Sequence, residues 1–246
     1  MGTSMRSAPD LSDRRRPPRA ERPPLGAPLF VLNLKSFPAA VGPGALAIAR
    51  ELARAGRAAG VAVAVAPSPP DLAAVAAAVR IPVLAQHVDP LDLGPTTGFV
   101  PVEVIAAVGA AGSLVNHSEH PLSAHATARV TRRLAEAGLT ALVCARDARI
   151  AGRLAALRPP YIAIEPPELI GGHRAVSTAK PGVIVAGVSA VQRVAPSTRV
   201  LCGAGIHGRT DVRRALELGA EGILVASAVA LARSPLRAIE GLLSGF

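Results

Sequence analysis

The feature that most constrains this fold is a repeated alternation of two kinds of segment from Leu29 onward. Short runs of Val, Leu and Ala, too uniformly apolar for a sheet with one solvated face, alternate with alanine-rich segments typical of helices. The strand-like runs lie near 29–34, 61–66, 82–86, 113–116, 139–144, 160–164, 198–202 and 222–225. Eight of them give about 27 residues per unit, close to the spacing of a closed barrel. The sequence therefore predicts an α/β fold, a closed parallel (β/α)8 barrel.

The same pattern gives a simple domain organisation. Helices fill the gaps between strands, for example at 43–59, 70–79, 101–111, 122–137, 209–218 and 235–243. Residues 29–246 are predicted to form one domain. Residues 1–28 are rich in Arg and Pro and lack the apolar stretch of a secretory signal, so they are predicted to be a disordered tail. A nucleic-acid-binding arm is the alternative interpretation of this tail.

Charge and composition restrict the partners. The net charge is +10, of which residues 1–28 carry +3 and the predicted domain +7. The domain's basic residues are scattered among helices and aromatics are 2% of the chain, so the pattern favours a small anionic substrate and no nucleic acid. No apolar run reaches the roughly 20 residues of a membrane span, so no membrane partner is expected.

Two cysteines, Cys144 and Cys202, each lie in an apolar strand-like run with no metal-ligand spacing nearby. Such cysteines are typical of reduced core thiols in a cytoplasmic protein. The sequence predicts no metal site and no cofactor.

Barrel enzymes carry their chemistry at the carboxyl ends of the strands. The apolar run from Tyr161 to Ile164 delivers Glu165 to such an end, and two prolines then prevent further strand. The glycine-bearing segment 168–172 that follows can approach a ligand closely. We interpret Glu165 as a base beneath a flap; the alternative is an exposed carboxylate in a surface loop.

Polar residues also end the first and fourth strands. Period-two alternation places Asn33 and Lys35 on one face at the barrel mouth. His117 follows the fourth strand, and Pro121 fits the first turn of a helix there. A histidine beside a helix amino terminus is held in the neutral form by the dipole, although a solitary histidine is more often structural.

The ends of the seventh and eighth strands suit an anion. Gly203 and Gly205 follow the seventh strand, while Ala226 and Ser227 lead from the eighth into a helix. Backbone N–H groups at these positions can bind phosphate, and this is the usual phosphate site of (β/α)8 barrels.

Taken together, these motifs resemble the triosephosphate isomerase family, and specifically its shorter archaeal-type branch. The similarity extends from Phe30 to about Ser234. The motifs that carry it are Asn33-x-Lys35, Ala85-Gln86-His87, Asn116-His117-Ser118-Glu119, Glu165-Pro166-Pro167-Glu168-Leu169-Ile170-Gly171, Ser177-Thr178-Ala179-Lys180-Pro181, Cys202-Gly203-Ala204-Gly205-Ile206 and Val225-Ala226-Ser227.

The resemblance implies a TIM barrel that interconverts dihydroxyacetone phosphate and glyceraldehyde 3-phosphate, a reaction of glycolysis and gluconeogenesis. It implies that Glu165 is the base, His117 the neutral electrophile and Lys35 the cation near the substrate oxygen. Asn33 would position the substrate, and Glu119 would pair with Lys35. Ile170 and Gly171 of the flap would approach the phosphate.

The resemblance also implies a homodimer or homotetramer, because Thr96-Thr97-Gly98 is similar to the family's subunit-docking loop.

The sequence departs from the family in its arginine-rich tail and at two places in the barrel domain. The flap has Gly171-Gly172-His173 where the family usually has Gly-Thr-Gly, and His120-Pro121 stands where an arginine is common. The alternative function is a phosphate-binding barrel that serves binding or assembly without isomerase activity. Such a protein would need neither the base nor the electrophile.

Overall fold

The computed structural model describes residues 25–169 and 175–246. Eight parallel strands form one sheet in the order β2-β1-β8-β7-β6-β5-β4-β3, and a parallel bridge between Val65 and Val83 joins its two ends. The predicted (β/α)8 barrel is thereby confirmed. The strands are β1 Leu29–Asn33, β2 Ala62–Ala66, β3 Leu84–Ala85, β4 Gly112–Val115, β5 Thr140–Ala145, β6 Tyr161–Ile164, β7 Arg199–Gly203 and β8 Gly222–Val225.

Helices surround the barrel in the described part of the chain. They are α1 Pro43–Ala59, α2 Leu72–Ala78, α3 Val102–Ala107, α4 Ala124–Glu136, α5 Ala148–Ala155, α6 Val176–Ala179, α7 Pro181–Val194, α8 Arg209–Glu217, α9 Ser227–Ala230 and α10 Pro235–Leu243. Short 3-10 turns occur at Pro38–Ala40, Pro69–Asp71 and Pro167–Leu169. None of these helices is long and apolar enough to cross a membrane.

The core has two layers because successive strand residues point to opposite faces of the sheet. An inner cluster fills the barrel with strand residues and with Ala111, which directly precedes β4, and an outer cluster packs the other strand face against the helices. In β1, Leu29 and Val31 point inward and Phe30 and Leu32 outward. Most side chains of the inner cluster are Ala, Val or Leu, which are small enough to fill the narrow interior of the barrel.

Several predicted elements are shorter in the structure, and two of them lose about half of their predicted length. The helix expected at 101–111 ends at Ala107, because Gly109 takes φ +85°, a left-handed conformation that stops a helix. The strand expected at 82–86 is the two-residue β3. The shorter helix lies away from the strand ends that carry the candidate site.

The predicted tail lies largely outside the described residues, which begin at Leu25. At the amino-terminal end of the barrel, the hydroxyl of Tyr161 donates to the carbonyls of Leu25 and Gly26, each at 3.0 Å. Leu25 also packs against the inner cluster. This end of the barrel is therefore closed by backbone, whereas the opposite end is lined by polar side chains.

Candidate active site

The carboxyl end of the barrel brings several of the predicted residues into one cavity. Its walls come from the ends of β1, β4, β6, β7 and β8. It is lined by Asn33, Lys35, His117, Glu165, Ala204, Gly205, Ile206, His207, Leu224, Val225, Ala226 and Ser227. A neighbouring cavity, between Lys35 and His117, is lined in addition by Glu119 and His120.

Alternation along two strands explains why Asn33 and Glu165 face this cavity. Leu29 and Val31 point into the barrel, so Asn33 continues the inward series, and Tyr161 and Ala163 likewise precede Glu165. Asn33 is 4% exposed and Glu165 6% exposed. The backbone N–H of Glu165 donates to the carbonyl of Ala145 at 2.8 Å. This hydrogen bond extends the β5–β6 ladder by one residue and fixes the position of the Glu165 backbone.

Lys35 and His117 reach the cavity through left-handed backbone. Lys35 has φ +50°, and its N–H donates to Asn33 Oδ1 at 3.0 Å. Asn116 has φ +59°, which redirects the chain after β4 so that His117, and not its neighbour, enters the mouth. Left-handed backbone is uncommon for residues other than glycine, so contacts with the surrounding structure must hold it in place.

Two amide side chains supply those contacts. Gln86 Nε2 donates to the carbonyls of Lys35 and Ala66, at 3.1 and 3.0 Å. Asn116 Nδ2 donates to the carbonyl of Cys144, and its Oδ1 accepts from the Leu122 N–H, both at 3.0 Å. Gln86 and Asn116 were noted in the sequence only as parts of motifs. Their partners are backbone groups distant in sequence, which no local pattern reveals.

The expected start of α4 was wrong. Pro121 lies outside the helix, which begins at Ala124 with Ser123 as its cap; the Ser123 hydroxyl accepts from the Ala126 N–H at 3.1 Å. Residues 117–120 instead form a turn closed by the His120 N–H to the His117 carbonyl. The helix dipole is therefore too distant to be the main control on His117.

A backbone hydrogen bond sets the state of His117 instead. The N–H of Glu119 donates to His117 Nδ1 at 3.2 Å. Because a backbone N–H can only donate, Nδ1 must accept, which leaves the neutral ring with its hydrogen on Nε2. His117 Nε2 lies 3.7 Å from Glu165 Oε2 and faces the cavity. The N–H of a neutral imidazole thus lies in the wall of the cavity, beside the Glu165 carboxylate.

The two carboxylates of the site, Glu119 and Glu165, differ in environment. Lys35 Nζ lies 2.6 Å from Glu119 Oε1, and Glu119 is half exposed. Glu165 Oε2, in contrast, is buried and has no hydrogen-bond partner within the described residues. A carboxylate oxygen shielded from water and left unpaired is well placed to accept a proton from a bound molecule.

Both cysteines lie near Glu165. Burial raises the pKa of the Cys144 thiol, and the charge and hydrogen bonding of Glu165 raise it further. Burial also raises the pKa of Cys202, with the Glu165 charge as the next cause. Both thiols therefore stay protonated beside the carboxylate and add no second negative charge to the site.

Not every predicted residue lies in the cavity wall. Gly203 ends β7 directly against the Glu165 side chain, whereas Gly205, Ala226 and Ser227 line the cavity. Ile170 and Gly171, together with the Gly172-His173 departure from the family, lie outside the described residues. Across residues 25–169 and 175–246, no group of His, Cys, Asp or Glu could hold a metal ion.

Comparison with known proteins agrees with this geometry. The sequence model of the family described as triosephosphate isomerase matches residues 28–242. The chain belongs to the triosephosphate isomerase family. The family, the barrel fold and the isomerase activity expected from the sequence motifs are thereby confirmed.

Several archaeal triosephosphate isomerases are similar along nearly their whole length. That of Methanothermus fervidus is 44% identical over 217 residues, which cover 88% of this chain and 98% of the relative. That of Methanosarcina acetivorans is 40% identical over 219 residues, covering 89% and 99%. That of Methanothermobacter thermautotrophicus is 43% identical over 217 residues, covering 88% and 95%. The similarity therefore includes every strand end that builds the cavity.

Proposed function

We propose that this triosephosphate isomerase converts dihydroxyacetone phosphate to glyceraldehyde 3-phosphate with Glu165 as the base. The observation that carries this proposal is the buried Glu165 Oε2, unpaired among the described residues and 3.7 Å from His117 Nε2. A proton on the carbon next to a carbonyl is weakly acidic, so its removal needs a carboxylate that water does not solvate.

The chemistry assigns a role to each neighbour. Glu165 takes a proton from the hydroxymethyl carbon, a carbon–carbon double bond forms, and negative charge develops on the former carbonyl oxygen. The His117 N–H and the Lys35 ammonium lie where they would stabilise that enediolate, and Asn33 would orient it. Return of the proton from Glu165 to the neighbouring carbon, with a hydroxyl proton shifting between the two oxygens, completes the aldehyde.

Glu119 would act on both of these groups. Its carboxylate pairs with Lys35, while its backbone N–H fixes the tautomer of His117. The pair at 2.6 Å holds the ammonium at the mouth of the cavity, where it can meet an anionic substrate.

The phosphate would lie between the ends of β7 and β8. Ala204 and Gly205 take φ +73° and +68°, a conformation in which successive N–H groups can converge on an anion. Ala226 and Ser227 line the same cavity opposite them. We propose that these N–H groups receive the phosphate, together with Ile170 and Gly171, which the family resemblance adds.

The protein is further proposed to act in the cytoplasm as a homodimer or homotetramer, without a nucleic-acid partner. Buried, protonated thiols at Cys144 and Cys202 support a reducing compartment. Cell fractionation that found the enzyme only in an oxidising compartment would contradict this location.

Isotope exchange tests the proton transfer. When the wild-type enzyme is incubated with dihydroxyacetone phosphate in heavy water, deuterium should appear on the two carbons whose C–H bonds are broken and formed. The reason is that the proton held by Glu165 exchanges with the solvent. Mass spectrometry or NMR of the equilibrated triose phosphates gives the answer. Full interconversion without any deuterium on carbon, after many turnovers, would contradict the enediolate mechanism.

A further inference from the structure

We infer that Gly203 is a positioning residue for the base, because its missing side chain creates the space that the Glu165 carboxylate occupies beside His117. This inference rests on the proposed role of Glu165. The register places Ile164 opposite Cys202, so that Gly203 is the β7 residue next to Glu165 across the ladder. Like Leu201 before it, Gly203 faces into the barrel.

The close approach is specific to one side chain. A Cβ built on Gly203 would lie 2.4 Å from Glu165 Cγ, 2.8 Å from Oε1 and 2.9 Å from Cδ. These three atoms are its nearest neighbours, and each distance is shorter than a real contact. By comparison, a Cβ on Gly112 would meet the backbone of Thr140, which belongs to the sheet itself.

Backbone conformation does not explain this glycine. Gly203 is not among the residues with positive φ, whereas the next residue, Ala204, holds the left-handed conformation with φ +73°. The chain thus has an alanine at position 204, where the backbone is left-handed, and a glycine at position 203, where it is not. Space, rather than backbone freedom, is the requirement at residue 203.

A substitution here would move the base and spare the fold. The atoms that meet the added methyl group belong to a long side chain that can rotate, so the carboxylate would be displaced from His117 while the strand remains paired. A displacement of about 1 Å at a reacting group can cost on the order of 10²-fold in rate. We expect Gly203→Ala to lower kcat by 10-fold to 100-fold, about the size expected for such a shift, and to change KM little.

A double-mutant cycle separates this steric role from a general structural one. Glu165→Ala removes Cγ, Cδ and the carboxylate oxygens, and so removes every atom that the added methyl group would meet. If Gly203 acts only by making room for this side chain, Gly203→Ala should leave the residual activity of the Glu165→Ala background nearly unchanged, although it lowers the activity of the wild type. Gly241→Ala, on the exposed face of α10 with nothing within 4 Å of the added atom, is the matched control and should leave kcat unchanged.

Turnover and binding of inorganic phosphate are measured for all four proteins of the cycle, with a thermal melt to confirm folding. Folded Gly203→Ala with turnover within about 3-fold of wild type, well under the cost of a misplaced group, would overturn the inference. So would a loss confined to KM and phosphate affinity, which would make Gly203 a phosphate ligand, or strictly additive effects of the two substitutions. Glu165→Gln that retained full activity would instead reject the proposed base, whatever the Gly203 result.

Discussion

At the scale of single residues, the site depends on polar groups that the barrel holds away from water. Asn33, His117 and Glu165 are all buried in a molecule whose inner cluster is aliphatic apart from Cys144 and Tyr161. Each is fixed by a backbone contact or by its place in a strand. Burial strengthens every electrostatic interaction among them, so small displacements have large chemical effects.

His87 gives a pH-dependent prediction at this scale. Its ring stacks on His120 with centroids 3.7 Å apart, and its Nε2 lies 3.1 Å from Asp89 Oδ1. Burial lowers the pKa of His87, and the hydrogen bond to Asp89 only partly offsets this. Below about pH 6.5, His87 binds a proton more readily in the unfolded chain than in the folded protein. The free energy of unfolding should therefore decrease as the pH is lowered.

His87→Gln removes this titration and retains a polar side chain. The melting temperature of the wild type should therefore fall more steeply than that of the variant between pH 8 and pH 5. Parallel pH profiles, or a steeper fall for the variant, would contradict the assignment. His125→Gln, an exposed position on α4, is the control.

Sequence reasoning at the residue scale succeeded where strand alternation decides direction. Asn33 and Glu165 continue the inward series of their strands, so their positions could be predicted from the period alone. Lys35 and His117 were chosen from their motifs, and the structure brings both to the cavity. Their geometry was not accessible from the sequence, because each depends on left-handed backbone held by distant hydrogen bonds. Gly203 shows the limit clearly: nothing local indicates that its missing side chain faces Glu165.

At the scale of elements, α1 and α10 have the predicted ends, whereas the ends of α3 and α4 differ from the prediction. A buried strand is a continuous apolar run, whereas the first turn of α4 is decided by Ser123 and the last turn of α3 by the left-handed Gly109. Proline at position 121 suited a helix start equally well by composition. The choice between Pro121 and Ser123 as the start of α4 depends on how the turn at residues 117–120 connects to the helix. That connection is set by tertiary contacts.

The segment 88–100 yields a prediction at this scale. Its base is closed by the Asp89 N–H to the Val100 carbonyl at 2.9 Å and by the Val100 N–H to Asp89 Oδ2 at 2.7 Å. Leu93 and Phe99 on this loop are 63% and 54% exposed. A braced loop presenting apolar side chains is suited to docking on a second subunit.

Sedimentation tests the assembly. The chain has a mass of 24.9 kDa, and we expect a species of at least twice that mass at micromolar concentration. Phe99→Asp should shift the equilibrium toward the monomer, while Val194→Asp, at an apolar residue that is 45% exposed at the end of α7, serves as the control. A wild type that sediments only as a 24.9 kDa particle would contradict the proposed oligomer.

At the scale of the whole molecule, the two ends of the barrel have different tasks. The amino-terminal end is closed by Leu25 and Gly26 on the Tyr161 hydroxyl, and the carboxyl end carries the cavity. The eightfold repeat predicted this division, because in such barrels the chemistry lies at the carboxyl ends of the strands. What the repeat could not provide is the spacing of groups within the mouth, which arises from contacts between different strand ends.

The central claim is that Glu165 is the base of this isomerase, and Glu165→Gln tests it most directly. The amide keeps the shape of the side chain and loses its basicity. A coupled assay should show kcat lower by about 10²-fold to 10⁴-fold, the usual cost of removing a general base, with phosphate affinity and melting temperature retained. A folded variant that turns over within a few-fold of wild type would contradict the claim.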